Sequence, residues 1–578
     1  IVDGDFSMNG GDTATSIEIT TGNSLNVNSS GMPVDNVTFT VTNNVQLDGD
    51  LLHNAGLAAP GSGSFSVLGN GTVINAGGDI NVAGKIDAGD GILLLQANKI
   101  QSDSLWVAAT STLGIMADKI TTNDANFAAG SETMIITSAF DASFSADNIN
   151  IGGSVLMGSV ATPGETVNIL SDVYTFNVTG DFVINGDVNS SDKELFINAN
   201  DVKIDNDVLG NVNFDVNSLS IGGASIDPDT SLDWKTRFAN VGTGDLLASG
   251  DILSVDDIII GGNVDGQLNI TGGKDMWVGE DLIGYWQIDV SNLYVLGNAI
   301  GGGNITADTI NVGGDLSSDP NDPDSTIKII ADEINVDGNL SGNLDIDAGN
   351  IFVNGDVLGG TKFRPNLPLG QYDPINVGTL PEKFHVNPDT GLSSNFKQID
   401  MTVNGTYYFN DDSYLQLVLN SSNISGSSYD PLTDDALLQV GGFNASSGPN
   451  GEPGVTRVPD FSDMDSSPNI EILVDNISEM IRRIRIMEIT DPSGIIDLGM
   501  LNYAGVWFYW DDDTDGINDR RLFQESRLIV DGNNIYAQLA MMQSMEKLTL
   551  NAPGNNRNDR AVAGAIDDLI LGRLRNYA

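Results

Sequence analysis

The run Ser325-Thr326-Ile327-Lys328-Ile329-Ile330-Ala331-Asp332-Glu333-Ile334-Asn335-Val336-Asp337-Gly338-Asn339-Leu340 decides how the chain is read. Ile327, Ile329, Ile334 and Val336 alternate with polar residues, the period of a strand with one side buried. Gly338-Asn339 breaks the run with turn residues, and Leu340 starts the next one. Leu344, Ile346, Ile351 and Val353 repeat the theme and end at Gly355-Asp356-Val357. Leu340 and Val357 lie 17 residues apart, and Leu316 and Leu340 lie 24 apart.

The same phrase recurs upstream, as Gly186-Asp187-Val188, Gly262-Asn263-Val264 and Gly314-Asp315-Leu316. A strand-turn unit repeating every 17 to 24 residues predicts a solenoid. The chain is therefore expected to be mainly β. Residues 1–360 are predicted to form a right-handed parallel β-helix, a rod that grows by roughly 4.8 Å per coil. Asp or Asn after Gly suits a left-handed corner between strands, and stacked corners would let side-chain amides pair in a ladder.

Past residue 360 the text changes. Pro365, Pro368, Pro374, Pro381 and Pro388 remove ladder donors, so 361–470 reads as a Pro-rich connector and β-rich cap. Residues 471–578 read as a smaller α+β C-terminal domain. An amphipathic helix is expected over 533–547, with Ile535, Leu539 and Met542 on one face. A last helix is expected after Asn558-Asp559, carrying Ala561, Val562, Ala565, Ile566, Leu569 and Ile570. Arg482, Arg483 and Arg485 beside Ile481, Ile484 and Ile486 form either the wet face of a strand or a patch for the acidic solenoid of a second subunit.

The 578 residues carry 25 Lys and Arg against 79 Asp and Glu, a net charge of −54. Such a field repels nucleic acid and anionic lipid; it attracts divalent cations or keeps a protein dissolved in high salt. Without cysteine there is no disulfide scaffold or thiolate metal site, and His53 and His385 are too few for a multi-histidine centre. No apolar run reaches the roughly 18 residues of a membrane span. A chain opening on Ile1-Val2-Asp3 reads as a mature form whose export signal has been removed.

One motif points to a ligand. Asp511, Asp513, Asp515, Gly516 and Asp519 make D-x-D-x-D-G-x-x-D. Alternate carboxylates converge on a hard cation, the Gly permits a sharp turn, and the Ile517 carbonyl adds an oxygen. The expected ligand set for a structural Ca2+ is Asp511, Asp513, Asp515, Ile517 and Asp519. The loop resembles the calcium loops of EF-hand-like and thrombospondin type 3 repeats, with Leu522 where an EF-hand has its bidentate Glu. The adjacent acids Asp256-Asp257 and Asp411-Asp412 would point to opposite faces of a strand and serve no common centre. No nucleophile elbow, phosphate loop or dinucleotide fingerprint stands out. A lyase acting on uronates needs cations, and residues 1–360 hold a single Arg, Arg237. Trp277, Trp286 and Trp507 are read as core aromatics, although exposed they would suit a sugar site.

Lines such as Gly77-Gly78-Asp79-Ile80-Asn81-Val82-Ala83-Gly84-Lys85-Ile86-Asp87-Ala88 and Gly349-Asn350-Ile351-Phe352-Val353-Asn354-Gly355-Asp356-Val357 resemble filamentous-haemagglutinin-type and autotransporter passenger β-helices. Residues Asn556 to Asp567 are similar to the helix that precedes the membrane barrel in autotransporters. The resemblance implies secretion, surface display, adhesion and sometimes fibres; with the lone Arg of residues 1–360, the chain is expected to be a non-enzymatic bacterial surface protein, an adhesin or a subunit that self-assembles into a homo-oligomer, filament or surface layer. It implies host or neighbouring-cell glycans or proteins as partners. Two other readings remain open: a polysaccharide-acting β-helix enzyme or tailspike-like protein, and a non-catalytic carbohydrate-binding surface protein.

Overall fold

The computed structural model describes residues 13–14, 17–19, 25–28, 37–55, 64–68, 71–129, 131–137, 142–157, 167–223, 225–228, 230–238, 242–322, 324–365, 400–411, 413–419, 438–456, 470–474, 483–499, 501, 506–510, 520–521 and 526–539. Two compact units divide the chain, Ile1–Gly297 and Asn298–Ala578. Both are made of strands; the one helix among the described residues is the single turn Trp234–Arg237.

The earlier coils of the first unit each consist of three short strands, which merge in later coils into longer ones such as Val188–Ile204. Lys85–Ala88, Gly91–Gln96 and Lys99–Gln101 pair in parallel with Ser104–Val107, Ser111–Met116 and Lys119–Thr121 of the following coil. Those in turn pair with Asp124–Phe127, Glu132–Ile136 and Ser143–Ala146. Parallel neighbours with so little chain between them require winding, so the unit has the stacked build of a β-solenoid, as the recurring phrase predicts. Alternate residues turn inward and stack by type: Ile86, Leu105, Ala125 and Ile149 form one buried column.

The Gly-Asp and Gly-Asn corners work differently from the sequence expectation. Neither Gly262, Gly338 and Gly355 nor the Asp or Asn after each has a left-handed φ. Each corner side-chain oxygen instead accepts from the backbone N–H at the same corner of the next coil. In the first unit Asp207 Oδ1 receives the Asp245 N–H at 2.9 Å, Asp245 Oδ1 the Asn263 N–H at 2.6 Å, and Asn263 Oδ1 the Asp281 N–H at 3.1 Å. In the second unit Asn298, Asp315, Asn339 and Asp356 hand on the same bond to Asp315, Asn339, Asp356 and Thr406. Glycine precedes because a Cβ would collide with that oxygen. On Gly355 it would come within 2.6 Å of Asn339 Oδ1, and on Gly262 and Gly338 its nearest neighbours would be Asp245 Oδ1 and Asp315 Oδ1. Amide-to-amide ladders do occur, but on strand faces: Asn150 donates to Asn126 at 3.1 Å, and Asn335 to Asn311 at 3.1 Å.

The second unit carries the decisive stretch. Ile327–Val336 pairs with Leu344–Val353, Leu316 with Leu340, and Leu340 with Val357, the spacings read from sequence. Val312, Val336, Val353, Val403 and Val440 form one buried column, each worth about 1.5–3 kcal/mol of burial. That column runs beyond residue 360: Leu344–Val353 pairs in parallel with Asp400–Tyr408, which pairs with Leu438–Asn444, and that strand with Arg483–Ile489. The coil step lengthens there to 50 residues, as between Asp356 and Thr406.

Apart from an isolated bridge between Ser447 and Pro453, antiparallel pairing among the described residues enters near their end. Ser526–Asp531 and Asn534–Leu539 form a hairpin, and the second strand pairs with Arg483–Ile489. The helix expected over 533–547 is therefore wrong for its described part, which is a strand. Gly532 supplies a positive φ of 59° for the turn, and the distant Arg483–Ile489 offers the ladder. Arg485 is only 8 % exposed opposite Tyr536, so it is not part of a wet strand face. The final helix expected after Asn558-Asp559 lies outside the described residues.

Candidate functional site

On four successive coils of the first unit, one strand turns a mostly polar set of side chains to solvent. The strands are Ser104–Val107, Asp124–Phe127, Asn148–Ile151 and Asp181–Ile184, each with alternate residues in the core. Leu105, Val107, Ala125, Phe127, Ile149, Ile151, Phe182 and Ile184 fill the interior. That inward set forces Trp106, Asp124, Asn126, Asn148, Asn150, Asp181 and Val183 outward. Asp124, Asn126, Asn148, Asn150, Asp181, Val183 and Asn185 line an open groove of about 500 Å³.

Hydrogen bonds hold the groove floor in order. Asn148 Nδ2 donates to Asp124 Oδ1 at 3.0 Å, its Oδ1 receives the Asp181 N–H at 3.2 Å, and Asn150 Nδ2 donates to Asn126 Oδ1 at 3.1 Å. Trp106 stands beside Asn126 in the register, on the coil before, and is 52 % exposed. An indole so exposed on an ordered polar strip offers a flat apolar plate next to fixed hydrogen-bonding groups.

The lane that carries Trp106, after Leu52 and Asp87 on the two coils before it, runs on in strict register. Asn126, Asn150, Val183, Lys203, Ser220, Ile259, Trp277 and Tyr294 follow it, one per coil. At its far end the aromatics are covered by the chain itself. Trp277 and Tyr294 stack at 3.9 Å, Phe238 packs on Trp277 at 5.4 Å, and the Arg237 guanidinium lies 5.0 Å from the Trp277 ring centre. Arg237 Nε also donates to the Asp227 carbonyl at 2.9 Å. The covering turn is capped by Asp233, which receives the Thr236 N–H at 3.0 Å.

Trp286 is buried, in line with its reading as a core aromatic; Trp277 is buried too, but on the outward lane under Phe238 and Arg237, and the Trp507 side chain lies outside the described residues. Trp106 was not singled out in the sequence, because an outward and an inward aromatic look alike until the register is known. Asp511, Asp513, Asp515, Ile517 and Asp519 all lie outside the described residues, and so does His385. Among the described residues no group of three or more His, Asp or Glu is arranged to hold a metal. His53 is buried, with Nδ1 3.1 Å from Thr72 Oγ1, and burial holds its pKa below the ordinary value.

The acidic pairs also sit differently from expectation. Asp256-Asp257 occupies the bend between Leu246–Ser254 and Ile258–Ile260, not a strand. Lys274 pairs with Asp256, while burial, reinforced by Asp275, raises the pKa of Asp257. Asp411 accepts from the Thr456 N–H at 2.9 Å; Asp412 is outside the described residues.

Compared with family models, curated proteins and solved structures, the chain matches none. Among the described residues no helix is long and apolar enough to cross a membrane.

Proposed function

We propose that this chain is an exported, non-enzymatic surface protein of a bacterium, an adhesin or a subunit of an extracellular filament or surface layer, built on a right-handed parallel β-helix. The observation that carries this reading is the corner ladder. Its repeating Asp and Asn oxygens are spent on backbone N–H groups of the next coil, so the most frequent polar residues of the repeat serve the scaffold. The single Arg of residues 1–360 is engaged over Trp277 and with the Asp227 carbonyl, which leaves a uronate-cleaving centre without its guanidinium. The likeness of Gly77–Ala88 and Gly349–Val357 to passenger β-helices supports export and display. A structural Ca2+ held by Asp511, Asp513, Asp515, Ile517 and Asp519 would brace an α+β C-terminal domain, through which subunits join.

Negative-stain microscopy of the purified chain, with and without a chelator, tests the assembly. Uniform fibres or sheets that fall apart on chelation are expected; dispersed monomers indifferent to calcium, with activity on glycans, would overturn it. A second reading, a non-catalytic carbohydrate-binding surface protein, is favoured by one observation, the exposure of Trp106 beside an ordered strip of amides.

A further inference from the structure

We infer that the outward face from Trp106 to Val183 binds a neutral polysaccharide, with Trp106 as its stacking plate and the Asn and Asp lanes as its hydrogen-bonding floor. The inference deepens the adhesive reading and rests on it for its setting, while the binding itself belongs to the purified chain.

Three features select the occupant. First, the plate is apolar and flat, and it is 52 % exposed in a register where the far-end aromatic, Trp277, is 1 % exposed under Phe238 and Arg237. The chain buries Trp277 under its own covering turn; it leaves Trp106, which stands between Asp87 and Asn126 in the lane, exposed. A pyranose ring has a C–H face that stacks on such an indole and presents its hydroxyls sideways. Second, the floor beside the plate mixes donors and acceptors. Asn150 spends its Nδ2 on Asn126 Oδ1, which leaves the Asn150 Oδ1 acceptor and the Asn126 Nδ2 donor of two groove-lining residues for a ligand. The Asp181 carboxylate lines the same groove. Hydroxyls, which donate and accept at once, satisfy both kinds of group; an ammonium or guanidinium serves only the acceptors. Third, charge excludes the anionic glycans. The groove carries Asp124 and Asp181 and no basic residue, on a chain of net charge −54.

The lanes place one outward side chain per coil, roughly 4.8 Å apart, so successive sugars of one chain would meet Trp106, Asn126 and Asn150 in turn along the stack. A polymer is favoured over a monosaccharide for that reason, because several weak contacts on one chain add up.

Affinity electrophoresis of the full chain through gels cast with neutral polysaccharides (β-glucan, galactomannan, xylan and dextran) tests this. Retardation by at least one of them is expected, unchanged in high salt. Trp106→Ala should weaken the binding at least about tenfold, Trp106→Phe should keep most of it, and Asn150→Ala should weaken it several-fold. Trp106 is exposed, so its variants should melt with the parent, which separates loss of binding from loss of fold. Retardation by none of the four polymers, or equal retardation of Trp106→Ala, would overturn the inference. So would a preference for a Lys-rich peptide that high salt abolishes. The microscopy test of assembly stands apart: fibres without sugar binding would remove this inference alone, and sugar binding without fibres would remove the assembly reading alone.

Discussion

Asp315 Oδ1 receives the backbone N–H of Asn339 at 2.7 Å, one coil later, and is the atom with which a Cβ on Gly338 would first collide. A single oxygen thus explains two letters of the repeat. Gly338 leaves room for the oxygen, and Asn339 passes the same bond to Asp356 at 2.8 Å. The ladder asks only for an acceptor, which is why Asp and Asn alternate freely at these corners. Two or more adjoining carboxylates are tolerated where each is hydrogen-bonded, as at Asp207 and Asp245.

Asp315→Asn should therefore be nearly silent, while Asp315→Ala should cost about 1–3 kcal/mol by leaving a corner N–H without its acceptor. Hydrogen exchange at the Asn339 amide is the direct readout. Protection retained in Asp315→Ala would contradict the ladder.

Gly338→Ala should destabilise the same coil by about 1–3 kcal/mol through overpacking, although its φ is ordinary. The added methyl must displace Asp315 Oδ1 or the Gly314 carbonyl. If backbone conformation alone set the preference for Gly, the substitution would be neutral or slightly stabilising, since Ala restricts the unfolded chain. Thermal melting of the two proteins side by side distinguishes these accounts.

Ile346→Ala should cost about 2–5 kcal/mol. Ile346 stands in the buried column of Ile305, Ile329 and Phe363, and neither neighbouring coil can close the gap without breaking its own register. Because a solenoid is stabilised by nearest neighbours, the loss should be local. Hydrogen exchange should accelerate around Ile329 and Phe363 and stay unchanged at Ile86 and Leu105.

The β-solenoid character was legible because its signal is local and repeated: Ile327, Ile329, Ile334 and Val336 fall inside together, and the steps from Leu316 to Leu340 to Val357 are the observed registers. The corner chemistry was legible in residue type but not in cause, since the atom that demands Gly338 lies 23 residues away on Asp315. Ile535 and Leu539 misled for a simpler reason. A spacing of four is even, so it fits one face of a strand as well as one face of a helix, and only the partner strand Arg483–Ile489 decides. Trp106 carried no signal at all in one dimension, because its exposure depends on which neighbours turn inward.

The loop Asp511–Asp519 should bind one Ca2+ per chain by calorimetry, and Asp513→Asn combined with Asp515→Asn should abolish it. Chelation should lower the melting temperature of the parent and leave that of the double variant unchanged. Equal calcium uptake by both proteins would sink the assignment.

Asp257 gives the acid side of the stability profile a sign that can be checked. Burial is the main cause of its raised pKa, and the Asp275 carboxylate adds to it; the Asp275 N–H and the nearby Lys274 act in the opposite direction. The native state therefore holds this proton more tightly than the unfolded chain does. Its contribution to stability is complete below the unfolded value, about 3.9, and is lost as the pH rises through the folded value. At neutral pH the ionised Asp257 thus weighs against the fold. Asp257→Asn removes the charge and keeps an oxygen for the Asp275 N–H, so it should raise the melting temperature at pH 7, with the gain shrinking towards zero at pH 3. A gain that persisted unchanged at pH 3 would mean that the side chain acts through packing and not through its charge.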